Sequence, residues 1–211
     1  TAAGVHVGRT IRNGKDPVIE GIQSGSEVFA APEILEIDLT NNCNLNCLSC
    51  WCHSPLLGEE KFRGEEKRQY LPEDKILSVL RDLEHLGGPV TIQLTGAGEP
   101  FLHPNIWGII EAIKAAGAGC QIITNFSLLD NDDIRRLIDL QVDAITASIW
   151  AGDADTYHRN HPGAPLDLFD RISHRLSRLS EQRGPGRRPT VKIYHVINKN
   201  NADSIHSMAD V

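Results

Sequence analysis

The chain has 211 residues, 40% of them hydrophobic and 23% charged, with a net charge of −7, as expected for an ordinary globular domain with one sizeable core. The acidity argues against a large nucleic-acid footprint, which needs a basic surface. No apolar run approaches the roughly 20 residues of a membrane span, and no signal-peptide pattern opens the chain.

Thr1 stands where an initiator methionine would, which suggests a trimmed N-terminus. Residues 1–32 read as a lead-in segment. Alternation at Val5-His6-Val7 and a turn signal at Asn13-Gly14 suggest a hairpin or arm there. From residue 33 onward strand and helix patterns alternate, which sets a core domain at 33–211. An apolar strand over 34–39 leads into a cysteine-rich loop. A helix is expected over 72–86, with Pro72 in its first turn, Ile76, Leu80 and Leu83 on one face, and Gly87-Gly88 as its stop. A strand at 90–94 and a helix at 104–116 follow, then a strand at 121–124 and a helix at 131–140. A strand at 144–149, a helix at 166–182, a strand at 191–197 and a helix beginning at 202 complete the pattern. The apolar positions of the helices recur at helical spacing, as in Ile106, Ile109, Ile110 and Ile113.

Strict alternation implies a parallel sheet with right-handed crossovers, in either an open doubly wound sheet or a barrel. A complete barrel takes roughly 250 residues, and the last helical pattern stops without a cap or breaker. The expected fold is therefore α/β, a partial (β/α) TIM-type barrel truncated after about five units, with its C-terminal part missing.

Five cysteines are present, four of them between Cys43 and Cys52, which is not the dispersed, even set of a disulfide framework. Clustered thiols favour a metal site in a reducing, cytoplasmic compartment. Cys43, Cys47 and Cys50 have the spacing C-x3-C-x2-C directly after the first strand. Thiolates hold iron–sulfur clusters, and four of them complete a cubane. Three leave one iron open, and an open coordination position marks a catalytic metal site. A zinc knuckle would pair C-x2-C units with a second pair or histidines further along, whereas Cys120 stands alone and His53 adjoins the loop. A structural zinc or cluster module, buried free cysteines and an electron-transfer iron–sulfur protein remain as alternatives at this point.

The cysteine loop resembles the signature of the radical S-adenosylmethionine (SAM) superfamily. That resemblance implies a 4Fe–4S cluster held by Cys43, Cys47 and Cys50, with SAM on the open iron. It also implies reductive cleavage of SAM to a 5′-deoxyadenosyl radical, which takes a hydrogen atom from a small-molecule or peptide substrate. An electron donor such as flavodoxin or ferredoxin is implied as a partner. Gly96-Ala97-Gly98-Glu99-Pro100, after the second strand, resembles the family's GGEP motif at the SAM amino group. Glycines there permit close backbone approach, and a carboxylate can pair with an ammonium. Thr124-Asn125 resembles the family's T-N segment. Ser148 resembles the position that meets the SAM ribose and carboxylate, and Val196, Ile197 and Asn198 lie where the adenine is packed. Two departures stand out. Ser49 replaces the usual aromatic residue before the third cysteine, with Trp51 following it instead, and Ala97 replaces a glycine.

Cys52 reads as a bystander, because a fourth thiolate would close the cluster, and Cys120 reads as a core residue. His158 and His161, beyond the fourth strand, are the substrate-contact candidates. The charged loop over 55–69 is a candidate cover for the site.

Overall fold

The computed structural model describes residues 16–60, 68–87 and 90–211, with the backbone alone at 59–60. Five short apolar runs form strands: β1 (Ile34–Asp38), β2 (Thr91–Thr95), β3 (Gly119–Thr124), β4 (Ala144–Ser148) and β5 (Thr190–Tyr194). Every neighbouring pair is parallel and the order is β1-β2-β3-β4-β5. A doubly wound sheet reverses its strand order at a switch point, and here there is no reversal. With right-handed crossovers throughout, successive helices pack on one face of the sheet. The architecture is a partial (β/α) barrel.

Seven α-helices are described: α1 (Pro17–Ser24), α2 (Glu73–Leu86), α3 (Ile106–Ala115), α4 (Asn131–Asp139), α5 (Ala154–Asn160), α6 (Leu168–Arg183) and α7 (Ile205–Met208). The start of α4 shows how the sequence sets a boundary. The Asp130 side chain accepts from the backbone N–H of Asp132 and Asp133, and Asp133 returns a bond to the Asp130 N–H. That reciprocal box satisfies donors a helix start otherwise leaves open.

Alternation along the strands separates two faces. Ile92, Leu94, Ile122 and Ile145 are fully buried under the helices, against Ile109, Ile110 and Ile113 of α3. Each such side chain contributes about 1.5–3 kcal/mol by leaving water. Cys120 belongs to this core. The intervening positions, including Gln93, Thr95, Gln121, Thr146 and Ser148, line the concave face and are only half-buried. Near the start of β4, Asp143 accepts from the Cys120 N–H at 2.8 Å and pairs with Lys114 and Arg188 at 2.6 Å each.

The lead-in differs from its expected form. Val5 to Val7 and Asn13-Gly14 lie outside the described residues, but residues 17–24 are a helix and not a strand. Asp16 caps it by accepting from Val18 N–H at 2.9 Å, Pro17 supplies the fixed φ of a first helical residue, and Gly25 ends it at φ 70°. Pro72 precedes α2 instead of sitting inside it. The strand expected to reach residue 197 ends at Tyr194, because Asn201 ties the chain beyond it into a turn. The helix expected from 202 is a short 3-10 turn (Ala202–Ser204) followed by α7. Helix α5 occupies a stretch expected as loop. Within the proposed cover, Pro55–Glu60 is a 3-10 segment kinked at Gly58, and residues 61–67 lie outside the described residues. Among the described residues, no helix is long and apolar enough to cross a membrane.

Candidate active site

The chain leaves β1 at Asp38, and Leu39 N–H still donates to Thr95 O at 3.2 Å, so the cysteine loop starts from the sheet itself. Thr40 turns the loop: its hydroxyl donates to Gln69 O at 2.7 Å and accepts from Asn42 N–H at 2.9 Å. A tight turn follows, with Cys50 N–H on Cys47 O at 3.1 Å. The Cys50 sulfur accepts from the N–H groups of Cys52 and His53 at 3.4 and 3.2 Å. Such N–H···S contacts stabilise a sulfur that carries negative charge. Leu48 N–H donates to Asn160 O at 2.9 Å, which fastens the loop to the end of α5.

The turn after β2 is pressed against this loop. A Cβ on Gly98 would fall 2.0 Å from Asn42 O, and one on Gly96 would fall 2.8 Å from Thr40 O. Only glycine fits at either position. Glu99 N–H donates to Asn42 O at 2.8 Å. The His53 ring, 3% exposed, donates from Nε2 to Ala97 O at 2.7 Å. His53 therefore couples the end of the cysteine loop to the glycine turn. In sequence His53 is only a neighbour of the cysteines, and its contact spans 44 residues with no local signal.

Glu99 is 2% exposed, and its carboxylate faces protein on both oxygens. Oε1 accepts from Thr124 Oγ1 at 2.7 Å and Phe101 N–H at 3.1 Å, and Oε2 accepts from Asn125 N–H at 2.8 Å. Burial pushes its pKa up to about 7, against the pull of these three donors. The Glu99 carboxylate thus stitches the β2 turn to the end of β3, while the backbone of Gly96 to Gly98 faces the open space. Asn125 continues the net: its Nδ2 donates to Asn44 Oδ1 at 2.9 Å and its Oδ1 accepts from Ser127.

These elements enclose a cleft of about 370 Å³ at the carboxyl ends of the strands, the position where parallel α/β folds bind ligands. Cys43, Cys47, Cys50, Gly96, Gly98, Glu99, Asn125 and Ser148 all line it, with Val196 on the far wall. Asn198 stands beside the cleft. Its Nδ2 donates to Ser49 Oγ and Asn160 Oδ1, both at 3.0 Å, so it latches the cysteine loop to the segment after β5. Ser49, in the place of the expected aromatic residue, is the other half of that latch. Trp51 lies on the rim, 73% exposed. Phe126 and Trp150, just past β3 and β4, hold φ near +60°. Bulky side chains rarely adopt that conformation, and it is concentrated at functional sites.

The two histidine candidates separate. His158 is exposed. His161 is 1% exposed, stacked on Tyr157 at 4.0 Å and bonded through Nδ1 to Tyr157 O at 2.8 Å. Burial lowers its pKa to about 4, so it is a neutral packing residue. Cys52 is buried and lies outside the set that lines the cleft.

The donor set suits a polynuclear iron group. All three cysteines are free and partly exposed. Among the described residues, no three His, Cys, Asp or Glu side chains converge on a single metal ion. A cubane binds each thiolate at a separate iron corner, so its ligands line a cavity and need not meet at a point. Burial raises the Cys43 thiol to about 11 and raises Cys47 further, with the neighbouring cysteines adding repulsion. Thiolates placed this way call for a cationic centre among them.

Residues 37–211 match the family model described as the radical SAM superfamily. The chain is 29% identical over 115 residues to the tungsten-containing aldehyde ferredoxin oxidoreductase cofactor-modifying protein of Pyrococcus furiosus, covering 54% of this chain and 30% of that protein. It is 30% identical over 136 residues to the AdoMet-dependent heme synthase of Methanosarcina barkeri, covering 64% and 36% respectively. The chain thus spans about a third of the length of these relatives. The fold is similar to that of Streptococcus suis SuiB bound to S-adenosylmethionine, with a TM-score of 0.67 at 18% identity over 94% of this chain and 41% of SuiB. SuiB bound to its precursor peptide SuiA gives a TM-score of 0.66 at 18% identity, over 91% and 39%.

Proposed function

The chain belongs to the radical SAM superfamily of enzymes, and on that premise we propose that its cleft holds a 4Fe–4S cluster through Cys43, Cys47 and Cys50, with SAM beside it. The observation that carries this reading is the convergence of the three thiols, the glycine turn and Asn125 on one cleft, contributed by three successive strand ends. When bound, the cluster and SAM supply the family's 5′-deoxyadenosyl radical for hydrogen-atom abstraction.

The chain's own residues prepare that site. Gly96 and Gly98 let the turn pack directly on the cysteine loop, which sets the turn backbone along the cleft wall to meet a ligand's amino group. Glu99 acts by holding that turn against β3 and not as an exposed counter-ion. Asn125 and Ser148, at the ends of β3 and β4, present polar groups to the ribose and carboxylate of SAM. Asn198 fixes the far side of the loop through Ser49, with Val196 as an apolar wall for the adenine.

The substrate is a small molecule or a peptide. SuiB was crystallised with its precursor peptide, and a further relative is the antilisterial bacteriocin subtilosin biosynthesis protein AlbA of Bacillus subtilis; both support the peptide side. An external one-electron donor such as flavodoxin or ferredoxin, and a cytoplasmic location, complete the reading.

Anaerobic reconstitution with iron and sulfide, followed by electron paramagnetic resonance with and without SAM, tests it. The expected result is a reduced 4Fe–4S signal that SAM alters, with 5′-deoxyadenosine formed under reducing conditions. Cys43→Ala, Cys47→Ala and Cys50→Ala should each abolish that product, and Cys52→Ala should retain it. Turnover surviving in any of the first three would sink the ligand assignment. An iron–sulfur signal indifferent to SAM would point to an electron-transfer protein instead.

A further inference from the structure

Trp150 holds an unfavourable conformation on the wall of the cleft. It follows β4 with φ at 60°, the left-handed region in which a Cβ crowds the following carbonyl. Its indole N–H is also buried without a hydrogen-bond partner among the described residues. Glycine or asparagine would relieve the strain, and phenylalanine would remove the orphaned donor. Strain of this kind persists only where the surrounding structure enforces it, and it gathers at binding sites.

The enforcement comes from two other segments of the chain. The Trp150 carbonyl accepts from Asn201 Nδ2 at 2.9 Å and from Asn160 Nδ2 at 3.2 Å. The same Asn201 amide donates to Val196 O at 2.8 Å, so one group clamps the backbone of Trp150 beside that of Val196. Both residues line the cleft. His161, itself buried, backs the indole at 5.9 Å between ring centres. Trp150 is nevertheless only half-buried, which leaves ring surface for the cleft. The clamp sets an aromatic ring and a branched aliphatic side chain next to each other on one wall.

That wall lies across the cleft from the glycine turn. Gly96 to Gly98 follow β2, whereas Trp150 and Val196 follow β4 and β5, the far strands of the sheet. A SAM molecule with its amino group at the turn extends its other end toward Trp150. That end is adenine, the one flat aromatic group of SAM, and an aromatic side chain offers a base its stacking face. We propose that Trp150 is the platform on which the adenine of SAM stacks, with Val196 at its side. This rests on the proposed SAM site and names the residue that grips the base.

The test is calorimetric and needs no turnover. SAM is titrated, without reductant, into the full-length protein carrying its reconstituted cluster. Trp150→Ala should weaken SAM binding by roughly five- to hundredfold. Trp150→Phe, which keeps an aromatic face, should stay within about threefold of wild type. Trp150→Leu, which keeps apolar bulk without that face, should fall with the alanine variant. Iron content should be the same in all three. The comparison of Phe with Leu separates stacking from packing and decides the matter even where Trp150→Ala fails to fold. Equal affinity in Trp150→Phe and Trp150→Leu overturns the inference, as does Trp150→Ala binding within about twofold of wild type. A wild-type protein that assembles a cluster and binds no SAM overturns the proposed function before any variant is compared, so the two failures are told apart.

Discussion

Gly98→Ala tests whether close contact between the β2 turn and the cysteine loop is what builds the cleft. The added Cβ would lie 2.0 Å from Asn42 O, 2.6 Å from its carbonyl carbon and 2.7 Å from its nitrogen. All three are backbone atoms, so no side-chain rotation relieves the clash. Reaching ordinary contact at 3.4 Å requires the two segments to part by about 1.4 Å. Overpacking of this kind costs about 1–3 kcal/mol. Separation also breaks the 2.8 Å bond from Glu99 N–H to Asn42 O, for another 0.5–1.5 kcal/mol or so. The expected destabilisation is about 2–4 kcal/mol, or about 5–15 °C in melting temperature for a chain of this size. The control is Gly117→Ala, where φ is +72° and nothing lies within 4 Å of the new Cβ; left-handed strain alone costs about 1–2 kcal/mol there. Thermal unfolding and SAM binding to the reconstituted protein are measured for both variants. Gly98→Ala should lose at least about tenfold in SAM affinity, and Gly117→Ala should bind as wild type does. A Gly98→Ala protein that melts above Gly117→Ala and binds SAM within twofold of wild type would refute the reasoning.

Two more outcomes follow from the same geometry. Glu99 has a raised pKa in the folded state, so its contribution is most favourable below about pH 4.5 and is lost as pH rises through about 7. In the cluster-free protein, urea unfolding should show wild type losing about 3 kcal/mol relative to Glu99→Gln across that interval; parallel curves would show that burial does not govern this carboxylate. His53→Ala removes the donor to Ala97 O and should cost about 1–3 kcal/mol while weakening SAM binding more than cluster retention. Iron content and calorimetric titration measured side by side would expose the opposite order.

The strands and long helices were legible because burial alternates along each strand and recurs at helical spacing, as in Ile92 and Leu94 or Ile106 to Ile113. The cysteine spacing and the glycine turn were legible because the chemistry they serve is local in sequence. Helix α5 was not, since seven residues carry too little periodicity; its one signal was Asp153, which caps Thr156 N–H at 2.7 Å. The lead-in helix carries its own mark in Asp16-Pro17 with Gly25 behind it, whereas the turn signal at Asn13-Gly14 points to a hairpin. The His53 contact and the inward aim of Glu99 come from contacts between distant segments. No run of neighbouring residues encodes them. Sequence suggested a carboxylate free to meet a ligand, and folding commits it to Thr124, Phe101 and Asn125.

The bond between Ser49 and Asn198 spans 149 positions and bears on the order in which the molecule assembles. During synthesis the cysteines emerge early, but the partner that fixes their loop is made only after β5. Until then the loop has the Asn160 carbonyl, which takes the Leu48 N–H, but not Asn198, which ties Ser49 to the Asn160 side chain. A nascent chain therefore displays these thiols before Asn198 can shape their loop. The proposed cluster would therefore meet a fully shaped loop only after β5 has been made, when Asn198 first reaches Ser49.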